Sequence, residues 1–237
     1  MDKLIKFNAQ TAGRDKLFRL FQYSSKLIWG SLQNKKSNEE LLKLLKELEY
    51  ILGTGRKLLR FGKGFETLHT ALKSLHISDP TLQVTITLSR ISMGLYLLTD
   101  HLIWLERAGL LKIDKSKWSQ LSYRLWLYAL VMNMSRDFYE LKQILHQLSF
   151  GTLNQELQGK TVHPTNTISS KLNLYYRVLA LHKDVVLDTI KNGCDICLPL
   201  SQLGYLSISP RTVGLLGVIS SIAGIIPLMD SSYKLSP

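Results

Sequence analysis

Cysteine is almost missing from this chain: only Cys194 and Cys197 occur among 237 residues. Two thiols cannot build a disulfide framework, and with no second pair they cannot complete a four-ligand zinc site, so the composition fits a reducing setting. Acidic residues are also short, 18 against 30 lysines and arginines, a formal net charge of +12. That excess attracts polyanions, either nucleic acid or an anionic membrane surface, and charge alone does not choose between them. No phosphate-binding glycine loop is present, because Gly53-Thr54-Gly55 followed by Arg56-Lys57 has neither the Walker nor the Rossmann spacing. His69 and His76 stand two turns apart without an acidic third ligand, and no serine or cysteine sits in a nucleophile motif. Cys194 to Cys197 has a redox spacing but lacks the preceding βαβ pattern, which makes them two ordinary helical cysteines. Enzymatic chemistry, a metal and a cofactor are therefore not expected. The first 30 residues mix charge with apolarity and contain no apolar core of a cleaved secretory signal.

Strict alternation over strand lengths is scarce, whereas apolar residues recur at spacings of three and four nearly everywhere, which predicts an all-α class. An N-terminal amphipathic region and one or two candidate transmembrane helices extend the expectation to a membrane-embedded helical protein. The periodicity places helices over 14–32, 38–52, 55–76, 81–107, 117–148, 169–195 and 212–229. Gly53, Gly55, Pro80, Gly109, Gly151, Pro164, Pro199 and Pro210 read as punctuation. The stretch 151–167 has no sustained apolar period and reads as a loop. In the first helix Leu17, Phe18, Leu20, Phe21, Leu27 and Ile28 share one side, opposite Lys16, Arg19, Gln22 and Lys26. Leu41, Leu44, Leu45, Leu48 and Ile51 make a comparable stripe on the second, which looks like a partner helix.

The segment 55–76 is the most informative. At 100° per residue, Phe61, Phe65, Leu68, Leu72 and Leu75 fall within an arc of roughly 80°, and the cations Arg56, Lys57, Arg60 and Lys63 crowd its first half. A basic amphipathic helix with aromatic residues on its stripe suits a membrane interface, the stripe in the acyl boundary and the cations at phosphate headgroups. Burying the five side chains would yield about 7–15 kcal/mol gross, and roughly half of that at an interface. Each cation adds about 1 kcal/mol on an anionic surface. A core helix of a soluble bundle would carry the same stripe, so the pattern leaves both readings open.

Thr212 to Met229 carries no charge. Eighteen residues reach about 27 Å, just adequate for a bilayer core. Within it Gly217 with Ser221, and Ser220 with Gly224, repeat at the four-residue spacing that permits close helix contact in lipid. Val84 to Leu105 is a weaker candidate, because Arg90 would cost about 2.5–3.5 kcal/mol at mid-bilayer and Asp100 and His101 lie nearer one end.

Several segments together resemble the peroxin-11 family of peroxisomal membrane proteins, most closely its animal alpha and beta branches. They are Gly13-Arg14-Asp15-Lys16-Leu17-Phe18-Arg19 with Gln22-Tyr23, then Thr54-Gly55-Arg56-Lys57 with Arg60 and Gly62-Lys63. They continue with Asp100, Trp104 and Gly109-Leu110, Arg136-Asp137 with Tyr139-Glu140, Leu187-Asp188 with Lys191, Pro199-Leu200, and the run from Gly214 to Gly224. The resemblance implies a role in peroxisome elongation, division and proliferation, in which the helix 56–76 inserts into an anionic phospholipid leaflet. It also implies self-association into a homo-oligomer and recruitment of fission adaptors and a dynamin-related GTPase. By the family's topology, 1–83 is a cytosolic remodelling region, 84–105 and 212–229 span the membrane, 106–211 is lumenal with the loop 151–167, and 230–237 is a cytosolic tail. Both termini would face the cytosol. A peroxisomal membrane pore for small metabolites, lined by Arg90, Asp100 and polar residues of the lumenal segment, is the alternative, while no nucleic-acid-binding module is recognisable.

Overall fold

The computed structural model describes residues 2–33, 39–157, 181–233 and 235, and among them every regular element is a helix. Its helices are α1 (Asp2–Ala9), α2 (Thr11–Leu32), α3 (Glu39–Leu59), α4 (Lys63–Ser74), α5 (Pro80–Arg107), α6 (Lys115–Leu157), α7 (Lys183–Gln202) and α8 (Pro210–Met229), with a short 3₁₀ turn at Ser231–Tyr233. Local chemistry starts the later ones. The Asp79 carboxylate accepts from the Thr81 and Leu82 backbone N–H groups at 2.8 and 3.2 Å ahead of Pro80. Ser209 does the same for Thr212 ahead of Pro210, and Asp114 accepts from Ser116 and Lys117 at the head of α6. A capping oxygen satisfies an orphan donor of the first turn, and proline at the first position loses no hydrogen bond there.

The helices follow one another in a circuit: α2 packs on α3, α3 on α5, α5 on α6, α6 on α7, α7 on α8, and α8 returns to α2. Helix α4 lies on α5. Closure of the circuit depends on a seam of small residues. Gly30 meets Pro210 and Arg211, Gly214 meets the Leu27 backbone, Gly217 meets the Tyr23 ring, and Gly224 meets the Lys16 side chain. The pairing runs in opposite senses along the two helices, so α2 and α8 are antiparallel. A Cβ on Gly214 would fall 2.5 Å from the Leu27 backbone nitrogen, and one on Gly217 would collide with the Tyr23 ring. Only glycine admits that approach.

Polarity is distributed inside out. Arg19, Asp100, Asp137, Asn192, Asp195 and Ser220 are buried, with Asp137, Asn192 and Ser220 fully so. Phe21 and Ile28 of α2, Leu44 and Ile51 of α3, Leu88 and Leu95 of α5, and Leu215 and Ile222 of α8 are exposed. Scattered exposed leucines are ordinary, but apolar rows on successive helices around a charged interior require cover by lipid or protein.

Several boundaries differ from the sequence reading. The segment 55–76 is not one helix: α3 runs through Gly53 and Gly55 to Leu59, and the break comes at Gly62, whose φ of +78° is left-handed. Gly53 and Gly55 serve instead as close-approach points for Gln22 and Phe18 of α2. Residues 151–157 of the expected loop continue α6, and 158–167 lie outside the described residues. Of the expected helix 169–195, residues 169–180 lie outside them as well, and α7 continues past 195 to Gln202, carrying Pro199 within it. Helix α2, within 1–83, lies along the apolar C-terminal helix α8.

Candidate functional site

Two features carry chemistry, an exposed apolar face on α4 and a charged interior between the helices. The face is built from the residues the sequence singled out. Phe61, Phe65, Leu72 and Leu75 are 61, 68, 61 and 49 % exposed, and Leu68 is half-buried because it packs against Gly94 of α5. A second close approach, Gly64 against Leu98, holds α4 down on α5. Helix α4 thus presents Phe65 and Leu72 outward while its small residues, Gly64 and Ala71, are buried. The Phe61 ring also leans on His101 and Trp104, at centroid distances of 4.8 and 6.4 Å.

The cations expected beside that face point elsewhere. Arg56 donates to Asp15 and Gln22 of α2, both at 2.9 Å. Lys57 forms an ion pair with Asp100 of α5. Arg60 donates to the other oxygen of Asp100 at 2.6 Å and to the Tyr96 hydroxyl at 3.3 Å. Of Arg56, Lys57, Arg60 and Lys63, only Lys63 is exposed. The sequence signal was right that these positions are cationic and close together. It missed that α2 and α5 place Asp15 and Asp100 opposite them, because partners 40 residues away leave no trace in helical periodicity.

These pairs belong to a larger interior. Arg19 makes a two-pronged ion pair with Asp195 of α7, which also accepts from Ser220 of α8. Burial would raise the Asp195 carboxyl, but the Arg19 guanidinium outweighs it and holds that carboxyl below its ordinary value. Arg136, Asp137, Asp188, Lys191 and Asn192 knit α6 to α7, the Asn192 amide donating to Asp137 at 2.7 Å. Between the helices lies a cavity of about 650 Å³. Eight lysine and arginine side chains line it, against Asp15, Glu66 and Asp195. Lys16 stands there without a hydrogen bond or ion pair among the described residues. Desolvation, with Arg19 and Lys191 nearby, pushes its ammonium down to about 7.

The C-terminal small residues are all buried. Gly217 and Gly224 lie against α2, Ser220 bonds to α7, and Ser221 donates to the Gly217 carbonyl at 2.6 Å. Helix α8 is the one helix among the described residues long and apolar enough to cross a membrane, with a mean hydropathy of 2.0 in its best window. Helix α5 does not reach that threshold. Its Arg90 donates to the Thr70 carbonyl of α4 at 3.0 Å and its Asp100 is consumed by Lys57 and Arg60, so neither residue lines the cavity as a channel residue. Cys194 and Cys197 are free thiols, and no group of metal-binding side chains occurs among the described residues.

The family model described as Peroxisomal biogenesis factor 11 matches residues 1–229. Peroxisomal membrane protein 11B of Homo sapiens is 34 % identical over 260 residues, covering all of both chains. Peroxisomal membrane protein 11A of Bos taurus is 35 % identical over 244 residues, 99 % of each chain. A more distant match is the peroxisomal membrane protein 11 homolog of Dictyostelium discoideum, 26 % identical over 94 % of this chain and 92 % of that one. No solved structure matches the chain.

Proposed function

The chain belongs to the Peroxisomal biogenesis factor 11 family, which is a family of biogenesis factors and not of known enzymes, and from that premise we propose that it shapes the peroxisomal membrane during elongation, division and proliferation. The observation that carries this reading is the outward face of α4 and its flanks, where Phe61, Phe65, Leu72 and Leu75 are about half to two-thirds exposed among the described residues. Such a face at the cytosolic leaflet displaces lipid headgroups on one side of the bilayer and favours curvature. Helix α8 anchors the molecule, and many anchored copies acting together deform more membrane than one. In this reading, self-association concentrates the wedges, and the cytosolic surface recruits fission adaptors and a dynamin-related GTPase. Because Arg56, Lys57 and Arg60 are engaged internally, attraction to acidic headgroups rests on Lys63 and other exposed cations, unless the ion pairs to Asp15 and Asp100 open on docking.

The test is tubulation of liposomes by the full chain. Phe65→Asp with Leu72→Asp should abolish tubules while carbonate-resistant anchorage persists. Leu72 is preferred to Leu68 because Leu68 packs on Gly94. Tubules formed by the double variant as by the wild type would overturn the wedge.

A second reading, a membrane pore for small metabolites, is favoured by one specific observation: a roughly 650 Å³ cavity lined by charge sits inside a circuit of helices whose outer rows are apolar. Planar-bilayer recording of the purified chain separates the two. A pore gives single-channel steps that Lys16→Glu alters, and a pure shaper gives none.

A further inference from the structure

The interior is over-supplied with hydrogen-bond donors and positive charge. Setting aside the exposed Lys63 and Glu66, seven cationic side chains line the cavity against Asp15 and Asp195, and adding Asp100 and Asp188, which pair with lining cations, still leaves an excess of three. Three donors have no acceptor. Lys16 has no hydrogen bond or ion pair among the described residues, although it lines the cavity and its stem lies against Gly224. Arg19, 6 % exposed, spends its two terminal nitrogens on Asp195 and keeps a bare, buried Nε. Arg107, held by Thr54 and by the Tyr50 ring, likewise keeps a bare Nε. Buried donors without acceptors and buried unbalanced cations each carry a cost that a bound anion removes.

We propose that this cavity is a binding site for a phosphate-class oxyanion, held by Lys16, Arg19 and Arg107. The volume lies within the ordinary range for small-ligand sites and exceeds what a single inorganic anion needs. The group bound is the phosphate of a small soluble molecule or of a phospholipid headgroup drawn in from the leaflet. The site does not depend on whether the cavity conducts, nor on insertion of α4, so loss of tubulation in the Phe65→Asp, Leu72→Asp variant leaves it untouched.

The full chain in nanodiscs of neutral phosphatidylcholine, titrated with pyrophosphate by calorimetry, tests the soluble source. One saturable site is expected, with affinity falling as sodium chloride rises. Lys16→Gln, which strands no partner, should weaken it at least about tenfold, the usual worth of a buried hydrogen bond to a charged group. The exposed Lys112→Gln should leave it unchanged. If pyrophosphate does not bind, but phosphatidic acid supplied in mixed nanodiscs co-purifies with the wild type and is lost from Lys16→Gln, the site is a headgroup site. Neither ligand binding, or equal loss in Lys16→Gln and Lys112→Gln, overturns the proposal. If Lys16→Gln does not fold, Arg107→Gln serves in its place with the same expected loss.

Discussion

The Arg19–Asp195 pair sets a demanding prediction for the inverted interior. Both residues are nearly inaccessible, at 6 and 4 % exposure, and they join α2 to α7 across 176 positions of sequence. Replacing Arg19 with Met removes the guanidinium and leaves a buried carboxylate whose remaining hydrogen-bond partner among the described residues is Ser220, with Lys16 near enough to act on it only through its field. Breaking a buried pair from one side costs about 3–5 kcal/mol because the surviving charge is uncompensated. At about 2–4 °C per kcal/mol for a chain of this size, the melting temperature should fall by about 6–20 °C. Arg19→Met with Asp195→Leu removes the stranded charge as well, and the Ser220 hydroxyl can turn to a carbonyl of its own helix. That double variant should recover most of the loss, since a well-packed apolar replacement of a buried pair is often neutral or better. Tryptophan fluorescence melts of the detergent-solubilised chain measure both. Arg19→Met melting within about 2 °C of the wild type, or a double variant melting as low as the single, would refute the assignment of these residues to the interior.

Gly217→Leu should prise α2 from α8, because a side chain there meets the Tyr23 ring; a loss of about 1–3 kcal/mol by overpacking is expected, read as a lower melting temperature and faster proteolysis of residues 11–32. Its counterpart Gly193→Leu, with nothing within reach of a Cβ, should be nearly silent. The Asp79 carboxyl is held below its ordinary value first by the Tyr139 hydroxyl and then by the Leu82 N–H. A lowered carboxyl contributes stability above the unfolded pKa of about 3.9 and loses it as pH falls through the folded value. Melting curves of wild type and Asp79→Asn should therefore differ most near pH 6 and converge as pH falls below about 4.

The helical class was legible in the sequence because a period of three to four needs no knowledge of partners. Which side of each helix faces inward was not. In α2 the stripe containing Phe18 and Phe21 was correctly separated from the side of Arg19 and Gln22, yet a stripe does not say whether its solvent is core or lipid. The answer lies in Asp195 and Arg56, which meet that polar side from distant positions. Glycine was equally ambiguous. Gly53 and Gly62 look alike in sequence, but one sits inside a helix against Gln22 and the other breaks the chain in a left-handed turn. The stripe of Phe65 and Leu72 was legible as a stripe, but its exposure was not, because a core helix carries the same pattern and only the packing of Gly64 and Leu68 on α5 turns Phe65 and Leu72 outward among the described residues.

The glycine seam also fixes an order of events during synthesis. Lys16 and Gly224 are among its partners, so α2 leaves the ribosome roughly 10–40 s before its counterpart exists, at about 5–20 residues per second. Asp15 of α2 finds Arg56 as soon as α3 follows, but through most of that interval the Arg19 guanidinium has no Asp195 to meet. Assembly of this protein is therefore sealed from its last helix backward, and any nascent chain cut before α8 is left with an unclosed, highly charged flank for quality control to find.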